Sequence, residues 1–150
     1  MFEKILKNPS QKIYSARITM VFVLVLTLVS TFLLIINTTI SFPFSLFSPQ
    51  YFAYISYLFY TMGETDSAIF YLVIALIIFG FYFFLYRRSK TKPKAYTYAL
   101  ILFSLDTILM VIIETISFSL VIDLAFHLWI MYTLFSAVLI VRKGLHNEGL

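Results

Sequence analysis

The 150-residue chain has no cysteine, only four glycines and four prolines, and few charges, at 12% of its residues. Without cysteine there is no disulfide framework, no thiolate zinc site and no Fe–S ligation, so the redox compartment is not readable from this chain. The scarce glycines form no phosphate cradle, and no G-x-x-x-G falls in an apolar run. H-E-x-x-H and G-x-S-x-G are also missing, which sets aside the metalloprotease and serine-hydrolase patterns. The chain is therefore not expected to be an enzyme.

What remains is mostly apolar: 61% hydrophobic and 19% aromatic, far from the balance of a soluble domain. The net charge of +4 would suggest nucleic acid if it formed a patch on a soluble face. Here the basic residues flank apolar runs instead, so the expected partner is the lipid bilayer, with no nucleic acid.

A bilayer core requires about 20 apolar residues per helix. Four windows qualify, at residues 18–36, 68–86, 96–117 and 120–141. All four prolines lie outside them, where a missing N–H breaks no helix ladder. The run from 95 to 141 is too long for one crossing, and Glu114, Ser117, Ser119 and Asp123 mark where it turns back as a hairpin. The first window follows basic residues, but it is too long for a signal-peptide core and no small-residue cleavage site follows it. It is expected to be a retained anchor. No internal repeat is found, so the chain reads as one all-α domain, a four-transmembrane-helix bundle.

Lys and Arg set the orientation. Lys4, Lys7, Lys12 and Arg17 precede the first span, Arg87, Arg88, Lys90, Lys92 and Lys94 separate the second and third, and Arg142 and Lys143 follow the fourth. These are all eleven basic residues, and the opposite side carries Glu64 and Asp66. Retention of positive charge in the cytoplasm gives a multi-pass cell-membrane protein with both termini inside.

The apolar segment 41–62 cannot be a fifth crossing, since that would put the five-residue basic loop outside. Ser48 and Pro49 look like an N-cap and first helical residue, and Tyr51, Tyr54, Tyr57 and Tyr60 follow at intervals of three. The expectation is a short interfacial helix over 49–62 on the outer face, its tyrosines at headgroup level. An aromatic loop over the bundle mouth is the competing reading. Tyr14, Tyr82, Tyr86, Tyr96 and Tyr98 are expected to form an inner belt. Phe2, Ile5 and Leu6, with Lys4 and Lys7, suggest an amphipathic foot.

Functional candidates are the ionisable groups inside the spans: Asp106, Glu114, Asp123 and His127. Each costs about 2.5–3.5 kcal/mol at a helix centre even on a lenient scale. Counted from the basic ends at ~1.5 Å per residue, Asp106 and His127 lie ~18 and ~22 Å deep, and Asp123 and Glu114 ~28 and ~30 Å. Antiparallel helices would pair Asp106 with His127 near the middle and Glu114 with Asp123 near the outer surface. Tyr132 is an alternative hydrogen-bond partner for Asp106.

One use of this seam is a cation or proton path, with Asp106 the inner acceptor, His127 a relay and the outer carboxylates an attracting mouth. A narrower variant holds a divalent cation, Mn or Zn, on Glu114, Asp123 and His127. The bland alternative makes Glu114 and Asp123 solvated caps, and Asp106 and His127 helix–helix glue. Small size and the near absence of soluble loops favour a non-catalytic accessory, regulatory or assembly subunit, as a homo-oligomer or with a membrane partner protein. The alternative is an oligomeric cation- or proton-coupled transporter or sensor. The stretch from Asp123 to Trp129, running on to Tyr132, is dense in unusual residues but matches no recognised family motif.

Overall fold

A computed structural model describes residues 8–35, 45–114 and 118–144. Within them the chain is all-helical: α1 Pro9–Ile35, α2 Phe47–Thr61, α3 Thr65–Ser89, α4 Ala95–Ile113 and α5 Phe118–Arg142. Four of these, α1, α3, α4 and α5, are long and apolar enough to cross a membrane. The amino-terminal foot, the end of the first window at Ile36 and the polar residue Ser117 lie outside the described residues.

The ends follow local chemistry. Pro9 opens α1, its fixed φ suited to a first helical turn. Ahead of it, Asn8 takes the left-handed conformation at φ 57°, which asparagine tolerates better than most residues. α2 closes through Gly63 at φ 83°, where the Glu64 N–H donates to Phe59 O at 2.9 Å and the Gly63 N–H to Tyr60 O at 3.1 Å. That double bond is a Schellman closure, and it requires a residue free to adopt positive φ. α4 ends where Glu114 turns extended, at ψ 140°, so the third span ends at Ile113, short of the 96–117 window read from sequence.

The core forms where one stripe of each long helix converges. Ala16, Met20, Val23 and Leu24 of α1 meet Tyr82 and Leu85 of α3, Tyr96, Ala99 and Phe103 of α4, and Ile130, Leu134, Ala137 and Val138 of α5. The stripe on α4 recurs every three or four residues, the period of a helix face. Between 22% and 39% of each span is buried, so most of the apolar surface, including Phe32, Leu76, Ile77, Ile112 and Trp129, faces outward. Helices apolar all round suit a lipid environment.

Two expectations change here. α2 exists as a helix, but it does not lie across the end of the bundle. It runs back along α3 in an antiparallel hairpin, with the Ser56 hydroxyl donating to Ala68 O at 2.7 Å and Phe52 and Phe59 both stacked on Tyr71. Small residues, Ala53, Ser56 and Ala68, are buried at that seam and let the two backbones approach. The inner tyrosine belt is also divided: Tyr14 and Tyr98 are exposed, whereas Tyr82 and Tyr96 are core residues at 7% and 1% exposure. An amphipathic ring can serve either role, and spacing from the basic residues does not distinguish them.

Candidate functional site

Asp106 occupies a core position of α4, in the same stripe as Ala99, Phe103 and Met110, and is 3% exposed. It lies eleven residues beyond Ala95, about 17 Å along the helix axis. Both carboxylate oxygens face the start of α2. Oδ2 accepts the Phe47 N–H at 2.8 Å, and Oδ1 accepts the Ser48 N–H at 2.8 Å and a short bond from the Ser48 hydroxyl.

The first four amides of an α-helix have no partner within it. For α2 these belong to Leu46, Phe47, Ser48 and Pro49. The Leu46 N–H donates to the Thr27 hydroxyl of α1 at 2.8 Å, while that hydroxyl donates in turn to Val23 O at 2.7 Å. Asp106 takes the next two, and Pro49 brings no N–H. The terminus is thus fully satisfied by two other helices. Ser48 is not the cap read from sequence: Leu46 holds that position, and the capping oxygens come from Thr27 and Asp106. The carboxylate also faces the positive end of the α2 dipole, which favours a negative charge there.

His127 joins this group from α5, as the antiparallel depth argument expected. Its Nε2 lies 3.9 Å from Asp106 Oδ2, and its ring stacks on Phe103 with centroids 4.9 Å apart. Nδ1 is 2.9 Å from the Asp123 carbonyl, which can only accept, so Nδ1 carries a proton. In a neutral ring Nε2 then presents a lone pair toward the carboxylate. That atom is buried and has no hydrogen-bond partner. The surroundings are apolar: the nearby cavity, walled by Met20, Tyr82, Phe103 and Ile130 among others, holds about 20 Å³, roughly one water in volume but without polar lining.

The outer candidates are less closely engaged. Glu114 is half-buried at the end of α4, Asp123 is half-buried on α5, and each lies within electrostatic reach of His127. Among the described residues, no group of three His, Asp or Glu side chains gathers as a metal would require. Tyr132 is 41% exposed and is not among the groups that Asp106 bonds. Sequence reasoning missed Thr27 and the Asp106–Ser48 link. A signal existed in principle, since a mid-span acid without a basic partner requires N–H or O–H donors, and a helix amino terminus supplies several.

Together the described residues define an α-helical bundle with four helices long and apolar enough to cross a membrane, and a fifth, shorter helix capped inside it. Comparison with protein-family models, curated proteins and solved structures finds no match.

Proposed function

We propose that this protein is a multi-pass cell-membrane protein, with both termini cytoplasmic, that acts as a non-catalytic accessory, regulatory or assembly subunit through helix–helix contacts. The distribution of Lys and Arg supports the orientation. One observation carries the functional reading: both oxygens of the mid-bundle acid are taken up in capping α2. A carboxylate so occupied, among apolar neighbours, holds helices together. α2 becomes a re-entrant half-helix, starting at mid-depth and running out to the outer side, which is tolerated in a bilayer because its terminal amides are satisfied within the protein.

The outward apolar surfaces of the spans and the shallow groove between α2 and α3, about 300 Å³ and floored by Ala53, Ser56 and Ala68, are the surfaces on which a partner helix or a second copy would pack. The chain's lack of cysteine permits single-cysteine crosslinking in native membranes at Leu76, Ile101 and Trp129. The expected result is an adduct confined to one face, with no proton or divalent-cation flux in proteoliposomes above that of empty vesicles. Flux that disappears in Asp106→Asn or His127→Ala, with the fold retained, would overturn the reading in favour of transport.

A second reading rests on His127 Nε2, buried and unpaired beside a carboxylate. Protonation there would turn the contact with Asp106 into an ion pair and tighten the join between α4, α5 and α2. Glu114 and Asp123 also lie within electrostatic reach of His127. The protein would then sense protons without conducting them. Partner crosslinking that changes with pH in the natural protein but not in His127→Phe is the expected sign.

A further inference from the structure

At the basic end of the bundle, α1 and the last turns of α3 enclose an open groove of about 760 Å³. Four cations line it: Arg17 from α1, and Arg87, Arg88 and Lys90 from the end of α3. Every acidic side chain among the described residues lies elsewhere: Glu64 and Asp66 beside the α2–α3 turn, Asp106 in the core, and Glu114 and Asp123 around the α4–α5 turn. Arg17 lines the groove as a half-buried residue, its Nε enclosed by the protein and without a hydrogen-bond partner.

The groove also has an apolar side. Phe83 and Phe84 line it and are 46% and 48% exposed on the span surface, about one turn before the basic cluster. The Arg88 guanidinium lies 5.1 Å from the centre of the Phe84 ring, which holds that cation at the boundary between the two sides. The partial negative charge at the carboxyl end of α3, roughly half an elementary charge, opposes an anion but is smaller than the combined charge of four cations.

We propose that this groove binds one anionic glycerophospholipid, its phosphate held by Arg17 and Arg88 with Arg87 and Lys90 around it, and its acyl chains against Phe83 and Phe84. Arginine forks match phosphate oxygens two at a time, and juxtamembrane basic clusters attract anionic lipid. A free phosphate would meet the same cations but would leave the aromatic side unused, so the lipid is the better match. The inference rests on the membrane placement proposed above and not on the partner role.

The test is native mass spectrometry of the full chain released from nanodiscs of mixed phosphatidylcholine and phosphatidylglycerol. Retained adducts should be enriched in phosphatidylglycerol, and Arg17→Gln and Arg88→Gln should each lower retention roughly five-fold, the effect of about one juxtamembrane charge. Arg142→Gln, at the end of α5, should not. Arg88 is exposed, so its variant keeps the fold even if Arg17→Gln does not. Equal retention of both lipids, or an equal loss in Arg142→Gln, would overturn the proposal. Displacement of the lipid by millimolar inorganic phosphate would make the ligand a soluble phosphate and would overturn it too. Both nanodisc leaflets contain phosphatidylglycerol, so retention reports on the groove in either orientation. Labelling of Met62→Cys and Lys143→Cys with an impermeant maleimide reports separately on orientation.

Discussion

The middle of this bundle and its basic end treat charge in opposite ways. At the middle, one carboxylate is removed from solvent and given three donors from α2, with a histidine beside it. At the basic end, four cations share an open groove, and one buried guanidinium nitrogen has no acceptor. An ionisable residue within a membrane span is usually the first place to look for function. In this chain the deeper charge is the more completely satisfied, and the shallower cluster is the one that calls for a ligand. The supply of partners, more than depth, separates a structural charge from a working one.

The strongest attempt to break that contrast is Asp106→Ala. It leaves two α2 amides without acceptors in an apolar setting, at about 1–3 kcal/mol each, and should lower stability by about 3 kcal/mol in denaturant unfolding of the micellar protein. Thr27→Val keeps the shape but strands the Leu46 N–H, and should cost about 1–2 kcal/mol, with Thr27→Ser close to the natural protein. His127→Phe should cost no more than about 1.5 kcal/mol, because an aromatic ring of similar size replaces one whose Nε2 has no partner. If it costs as much as Asp106→Ala, the histidine is a full member of the cap and the contrast between satisfied acid and unsatisfied base weakens. At the other end, Arg88→Gln should change stability by less than about 0.5 kcal/mol, as exposed charges do. Its effect should be read in lipid retention alone.

The four apolar spans were legible because each is a long run with few or no charges. The meeting of Asp106 and His127 was also legible, since depth along antiparallel helices is a matter of counting. The cap was not. Ser48 and Pro49 signalled a helix start locally, but the atoms that close it come from Thr27 and from Asp106, 58 residues further along. Local capping rules describe a terminus in water, where solvent completes what the side chain does not; inside a bundle the completion must come from another helix. For the same reason α2 was expected to lie flat, as an aromatic-rich helix with no charges does at an interface. Its small residues against α3 and its satisfied amino terminus allow it to pack inward. Tyr82 and Tyr96 were misplaced because a tyrosine near a basic segment fits a headgroup belt and a core equally well.

Hydrogen exchange at the first turn of α2 tests the central claim most directly, because the Phe47 and Ser48 amides are the ones that bond Asp106. In Asp106→Ala, exchange there should quicken by about a hundred-fold, the equivalent of roughly 3 kcal/mol of local protection, while amides in the middle of α5 keep theirs. Unchanged protection at Phe47 and Ser48 in a folded Asp106→Ala protein would mean that the acid does not hold α2 in place. Its burial would then have to be explained by some other use of the charge.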